Sequence, residues 1–335
     1  MLDKEHDDLP AEAIDCNAYV LGRIGSHNVI LACLPVGETG VVPAAVTVIR
    51  MKSTFRCLEI GLVVGVGGGV PSENHDIRLG DVVVGDGGVI QYDMGKTVQG
   101  GRFICTQDRL RPPEALMLAV SKFQAGDRLG KRTMEQYIDE MTSRHPDFSH
   151  PGVELDVLYA AYYDHPQEAV SCEWCDPVQR VSRKPRQFLR PVVHYGLIAS
   201  GNQVMRHGAT RDELQAQHDI LCFEMEAAGL MREFPSLVIR GICDYADSHK
   251  NKAWQDYASV TAAAYAKELL TMIPGPLLRP TGRCFMVPFP RTPTFVGRTD
   301  ILAMIDNKLQ AREPAVLAGI GGVGYVSTNA THCFD

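Results

Sequence analysis

The chain has 335 residues, 45% apolar and 22% charged, a globular balance that excludes wholesale disorder and a fibrous protein. With 33 Lys and Arg against 40 Asp and Glu, the net charge of −7 makes it a poor general binder of nucleic acid or anionic membrane. No apolar run reaches transmembrane length, the acidic opening MLDKEHDDLP lacks a signal-peptide core, and the ten cysteines read as reduced thiols. The expectation is a cytoplasmic protein with neither nucleic acid nor membrane as partner.

Residues 18–34 alternate and are rich in β-formers, predicting two strands joined near Gly25 and Ser26. Residues 39–52 predict a helix beginning near Pro43. The apolar run from Cys57 to Val66 predicts a strand covered on both faces and stopped by Gly67, Gly68 and Gly69. Residues 79–85 predict a further short strand, and 112–124 and 127–144 two helices, the second amphipathic. Residues 192–200 predict a strand ending in a Ser-Gly-Asn turn, 222–233 a helix, 237–243 a strand, and 254–273 a long Ala-rich helix. Strands alternating with helices imply an α/β fold around a mainly parallel or mixed sheet. Ligands of such sheets gather beyond the carboxyl ends of strands, here residues 65–71, 200–205 and 244–247. Proline density rises over 274–293, which reads as a linker and a domain boundary.

Three segments carry chemistry. Gly65-Val-Gly-Gly-Gly-Val-Pro71 is either a tight strand-end turn or a place where backbone N–H groups approach a ligand. Glu224 and Glu226 sit in Phe223-Glu-Met-Glu-Ala-Ala-Gly229. They read as an acidic helix start favoured by the dipole, or as carboxylates gripping a vicinal diol. The strand before Asp244 delivers that carboxyl to its carboxyl end, where it serves as an acid or as a cap for the next helix; Asp247 suits the cap better.

Together the ordered segments GVGGGVP, HDIRLGDVVV, GLIASGNQVM, FEMEAAGL and VIRGICDYAD resemble the nucleoside phosphorylase superfamily over residues 17–273. That superfamily includes purine nucleoside and uridine phosphorylases and methylthioadenosine/S-adenosylhomocysteine nucleosidases. The chain is most similar to the phosphorylase-like domain at the N-terminus of fungal NLR-like (NACHT or NB-ARC) proteins, where a FVGR segment and a P-loop follow. Phe295-Val-Gly-Arg298 and Gly319-Ile-Gly-Gly-Val-Gly324 fit that arrangement.

The resemblance implies a three-layer α/β/α fold with a mixed, largely parallel sheet. It implies three regions: a phosphorylase-like domain over 1–273 with its first strand missing, a Pro-rich linker over 274–294, and a truncated P-loop remnant over 295–335. It implies that Glu226 binds the ribose hydroxyls, Met225 packs on the ribose, Glu224 supports them, and Asp244 is the general acid facing N7 of a purine. Arg240 then steadies the nucleophile region, Val204 and Met205 flank the base, and Gly67 and Gly68 meet the nucleophile. The implied reaction is hydrolysis of the N-glycosidic bond of a purine nucleoside or nucleotide, adenine being the expected base. No cofactor is needed, and a homo-oligomer is expected. The alternatives are a phosphate-dependent phosphorylase and a catalytically weak sensor or docking domain.

Three departures from the family pattern matter. The positions that hold an Arg and a Ser for phosphate in bacterial phosphorylases align with Val63 and Val66, which favours hydrolysis, with Arg23, Arg50 or Arg56 as substitute anion partners. Residues 1–18 show no strand delivering the carboxylate that orients water, and Glu12 lies in a polar stretch. In the P-loop-like segment Tyr325 replaces the Lys and Val326 the Ser/Thr, so ATP hydrolysis is not expected. Cys172-x-x-Cys175 with His165 nearby has zinc-ligand character, but no second Cys pair follows. The sequence reading therefore treats it as a loop in the 163–191 insertion and expects no metal. The basic cluster 180–190 reads as a solvated loop, or else as a clamp for substrate phosphates. His249, Lys250 and Trp254 read as a lid over the base, with Trp254 as core the plainer alternative.

Overall fold

A computed structural model describes residues 1–7, 15–166 and 171–275. Glu12, most of the linker and the whole P-loop-like segment lie outside the described residues. Met1–Gly275 form one compact unit.

In chain order the elements are β1 (Lys4–Glu5), β2 (Tyr19–Ile24), β3 (His27–Ala32), α1 (Val41–Thr54), β4 (Leu62–Gly69), β5 (Val82–Val84), β6 (Val89–Gln91), β7 (Gly95–Thr97), β8 (Phe103–Cys105), α2 (Glu114–Arg128) and α3 (Met134–Arg144). There follow β9 (Val193–Tyr195), β10 (Leu197–Ser200), α4 (Gly208–His218), β11 (Ile220–Glu224), α5 (Ala227–Glu233), β12 (Leu237–Asp244) and α6 (Gln255–Met272).

Seven strands make the central sheet, in the order β6-β10-β11-β4-β12-β5-β9. Only the β11–β4 and β12–β5 pairs are antiparallel, so the sheet is mixed and largely parallel. β1, β2 and β3 form a separate antiparallel sheet, so the described N-terminal residues contribute their strand there and not to the central sheet. α6 lies along β12 and β4 and carries α2 and α3, while α5 packs with α1 and α4 sits beside β11. The α/β fold is therefore the one expected. α6 is Ala-rich on a face that must pass close to the sheet, and Ala258, Ala262 and Ala264 are fully buried there.

Several boundaries differ from the sequence reading. The strand expected over 57–66 begins at Leu62 and runs through the three glycines instead of stopping at them. Nor is it covered throughout, since Val64 is 41% exposed. The glycines do not break this strand because its neighbours lie too close for side chains. A Cβ on Gly68 would stand 2.7 Å from Asp244 Oδ1 and 2.9 Å from Ala246 Cβ. The helix expected over 222–233 is a strand, β11, followed by the short α5. Its apolar residues Ile220, Leu221, Cys222 and Phe223 are all buried, which is strand behaviour in a sheet covered on both faces.

The single strand expected over 192–200 divides at Gly196. β9 ends one edge of the sheet beside β5, whereas β10 pairs with β6 and β11 near the other. One residue cannot span an open seven-stranded sheet, given strand spacings of about 4.8 Å. The sheet therefore curls until its ends meet. There Gly196 N–H donates to the Val84 carbonyl at 3.1 Å, and Gly87 N–H donates to the Gly196 carbonyl at 3.2 Å.

Candidate active site

The sheet register brings the three inspected segments together. Gly68 on β4 is the cross-strand partner of Phe223 on β11 and of Asp244 on β12. Ser200, at the end of β10, lies opposite Glu224. One glycine-floored spot is thus bounded by the ends of β10, β11 and β12.

The two glutamates divide the two readings of their segment. Glu224 is 6% exposed and accepts N–H bonds from Glu226 at 3.0 Å and from Ala227 at 3.0 Å. It therefore serves the N-terminus of α5. Ser200 Oγ accepts the Ala228 N–H at 3.0 Å and supplies a second cap there. Glu226 makes no side-chain cap, and its side chain is 23% exposed. Burial pushes its carboxyl above the ordinary glutamate range, with Arg240 opposing that shift and Glu224 adding to it.

Arg240 stands mid-strand on β12, 5% exposed, opposite Gly65. Its guanidinium pairs with Glu224, lies 3.5 Å from Glu226 Oε2, and donates to the Val66 carbonyl at 3.4 Å. It ties the α5 start to the glycine strand.

At the end of β12, Asp244 Oδ1 accepts the Ala246 N–H at 2.8 Å and pairs with Lys250 Nζ at 3.0 Å. Ala246 has φ 52, a left-handed backbone that an alanine rarely adopts. This local strain lies immediately behind Asp244. The sequence reading treated Lys250 as part of a lid. It is instead a direct partner of Asp244, a contact that spacing alone does not disclose. Trp254 is core, 1% exposed, its Nε1–H donating to the Leu155 carbonyl at 3.2 Å. His249 is buried and stacks on Tyr159, ring centroids 4.1 Å apart.

Gly67 and Gly68 are buried, and Met225 is half-buried beside Glu226. Met205 is half-buried and packs against the cluster holding Ile90, Tyr92 and Phe223. Val204 is 54% exposed in the loop after β10. Val63 lies in the main core, while Arg23 and Arg56 are exposed.

The basic stretch is an exposed loop from which Arg183 and Arg186 turn inward. Arg186 pairs with Asp81 at 2.6 Å and Arg183 with Asp156 at 3.0 Å, their side chains 21% and 13% exposed. These arginines border a cleft of about 490 Å³ whose lining includes Arg78, Asp81 and Asp156 but neither Glu226 nor Asp244. Asp76, Asp81 and Asp156 already balance three of its guanidinium groups. The carboxylate-bounded spot on β4 therefore remains the better chemical candidate.

His165, Cys172 and Cys175, expected to be no more than part of a loop, are brought together with their ligand atoms within 4.8 Å of one another. No helix among the described residues is long and apolar enough to cross a membrane.

A Nucleotide-binding leucine-rich repeat (NLR)-like protein of Hyaloscypha variabilis is 42% identical over 97% of this chain and 33% of its own length. The chain thus spans about a third of that relative. The 5'-methylthioadenosine/S-adenosylhomocysteine nucleosidase of Mycobacterium bovis is 26% identical over 76% of this chain and 84% of its own. The fold is shared with a solved nucleosidase of that type from Colwellia psychrerythraea, in complex with adenine. There the TM-score is 0.51 at 16% identity, over 82% of this chain and 88% of that one. The sequence pattern of the phosphorylase superfamily matches residues 3–271, and the chain belongs to that superfamily.

Proposed function

We propose that the chain is a purine nucleosidase that hydrolyses the N-glycosidic bond of an adenine nucleoside or nucleotide, with Asp244 and Glu226 as its catalytic groups. The observation that supports this reading is the register of Gly68 against both Phe223 and Asp244, which brings the end of β11, shortly before Glu226, beside Asp244 at the glycine strand. Asp244 donates a proton or hydrogen bond to N7, and the C1′–N9 electron pair leaves with the base. Glu226 accepts hydrogen bonds from the ribose 2′- and 3′-hydroxyls and faces the positive charge that develops on the ring. Water adds to C1′ from the Gly67–Gly68 side, and its proton passes to solvent, from which Asp244 is reprotonated. Met225 packs on the ribose, and Val204 and Met205 flank the base. Arg240 positions Glu224 and Glu226. No cofactor takes part.

Hydrolysis is favoured over phosphorolysis because Val63 and Val66 stand where phosphorylases hold an Arg and a Ser, and Arg240 is already paired with Glu224. Adenine as the base rests on the likeness to nucleosidases of methylthioadenosine. Exposed Val42, Val46 and Ile49, spaced along one face of α1, favour the homo-oligomer.

The test is incubation of the purified chain with adenosine, AMP, ATP, inosine and guanosine, with and without phosphate. Free adenine without phosphate is the expected result. Base released only with phosphate replaces this reading with a phosphorylase. Tight binding without turnover replaces it with a sensor domain of an NLR-like protein.

A further inference from the structure

The insertion between α3 and β9 carries a group of donors that the proposed reaction does not use. His165, Cys172 and Cys175 present one nitrogen and two sulfurs, all within 4.8 Å of one another. That donor set is borderline-soft, which suits zinc and excludes magnesium and calcium, both of which demand oxygen.

The surroundings fit metal ligation. His165 Nδ1 lies 3.0 Å from the Pro166 carbonyl oxygen. A carbonyl only accepts, so Nδ1 carries the proton and Nε2 keeps its lone pair. A ligating histidine is commonly oriented by just such a bond from its other ring nitrogen. His165 N–H donates to Ser248 Oγ at 2.9 Å, and the Cys172 thiol faces the His249 carbonyl at 3.9 Å. The donors are therefore fastened to residues 248–249, just beyond Asp244. His249 itself is buried, its side chain 4% exposed, its ring centroid 5.4 Å from that of His165. Neither of its ring nitrogens has a hydrogen-bond partner. Its Nδ1 lies 3.8 Å from Asp247 Oδ1, and its ring stacks on Tyr159.

We propose that His165, Cys172 and Cys175 bind a zinc ion, with the fourth position of the tetrahedron open to water. Binding converts two thiols to thiolates and releases two protons to solvent. No redox change occurs. The ion staples the insertion to the segment that holds Asp244 and Lys250.

The test uses the full chain, kept reduced throughout and purified with zinc, then gel-filtered into metal-free buffer. Stoichiometric zinc is expected in the wild type and in Cys33→Ser, whose thiol is exposed and distant in sequence. Loss of the zinc is expected in the Cys172→Ser/Cys175→Ser variant. As a readout independent of that variant's folding, cobalt is also titrated into the stripped wild type. Thiolate-to-cobalt charge transfer with tetrahedral d–d bands, both erased by zinc, is the supporting result. Wild-type zinc no higher than in the double variant overturns the proposal. So does a cobalt spectrum without thiolate charge transfer, or a Cys172–Cys175 disulfide found in protein kept reduced.

Discussion

Asp244 and Glu226 are distinguished by what their oxygens already do. Asp244 Oδ1 is taken up by Ala246 N–H and Lys250, so a base must engage Oδ2, which lies 3.5 Å from Cys243 Sγ. Asp244→Asn keeps the shape and removes the proton, and turnover should fall by about 10²-fold or more, the scale of a positioned acid. Near wild-type release of adenine by a folded Asn variant would remove Asp244 from the mechanism. Glu226 must be ionised to accept two hydroxyl hydrogens, yet burial raises its pKa. Activity should therefore decline on the acid side at a pH above the ordinary glutamate range, and this limb should vanish in Glu226→Gln. The same variant should lose more on ribose than on 2′-deoxyribose substrates, since the latter already lack one partner. Its effect on stability runs the other way. A raised folded pKa means the ionised form is disfavoured by folding, so stability is lost as pH rises through it. Removing the charge should leave the neutral-pH melting temperature unchanged or higher. A lower one, with equal losses on both sugars, would make Glu226 a structural residue.

Among the elements, β12 bears most of the site's architecture, because Arg240 and Asp244 hang from one strand while β4 supplies the gap between them. Arg240→Met would strand the Glu224 carboxylate in a buried setting, and breaking such a pair costs about 3–5 kcal/mol. Unfolding in urea should show that loss, and Glu224→Gln added to Arg240→Met should recover part of it. Full stability of the single variant would mean that Glu224 draws its support from the α5 amides alone. This strand was legible in the sequence: its run Leu237 to Cys243 is short, apolar and β-branched, and the structure adds only Asp244. The β2–β3 hairpin and α6 were legible for similar reasons, each having a clear period and a clear end. β11 was not, because a short apolar run followed by Ala-Ala-Gly has the composition of a buried helix. Nor were β9 and β10 legible as two strands, since only the curl of the sheet separates them at Gly196. The hairpin of β7 and β8 and the helix α4 carry too few apolar residues to announce themselves. The candidate site was legible as a set of segments, while its internal pairing was not. The bond from Lys250 to Asp244 and the use of Glu224 as a cap depend on how β11, β4 and β12 lie side by side.

For the whole molecule, residues 3–271 carry the family match and Met1–Gly275 form a compact unit. All the residues assigned to the proposed reaction lie within it. The chemistry proposed for the segment beyond 294 rests on sequence alone. A P-loop grips nucleotide through backbone N–H groups, a lysine on the phosphates and a Ser/Thr hydroxyl on Mg²⁺. Gly319-Ile-Gly-Gly-Val-Gly324 keeps the first of these, whereas Tyr325 and Val326 replace the other two. A tyrosine has no positive charge to offset a triphosphate, and a valine has no oxygen for the metal. We propose that residues 295–335 hydrolyse no ATP, that base release resides within 1–273 and that 274–294 is a linker. Deleting the residues after Pro280 should leave the rate of adenine release unchanged, and the full chain should produce no ADP from ATP in Mg²⁺. ADP formation that needs Mg²⁺ and disappears on that deletion would make the segment a working nucleotide site. Restoring the usual pair with Tyr325→Lys and Val326→Ser would separate the two explanations of an inert segment. If phosphate binding then appears, the substitutions alone had silenced it. If it does not, the loop lacks more than those two side chains, and no nucleotide role can be assigned to it.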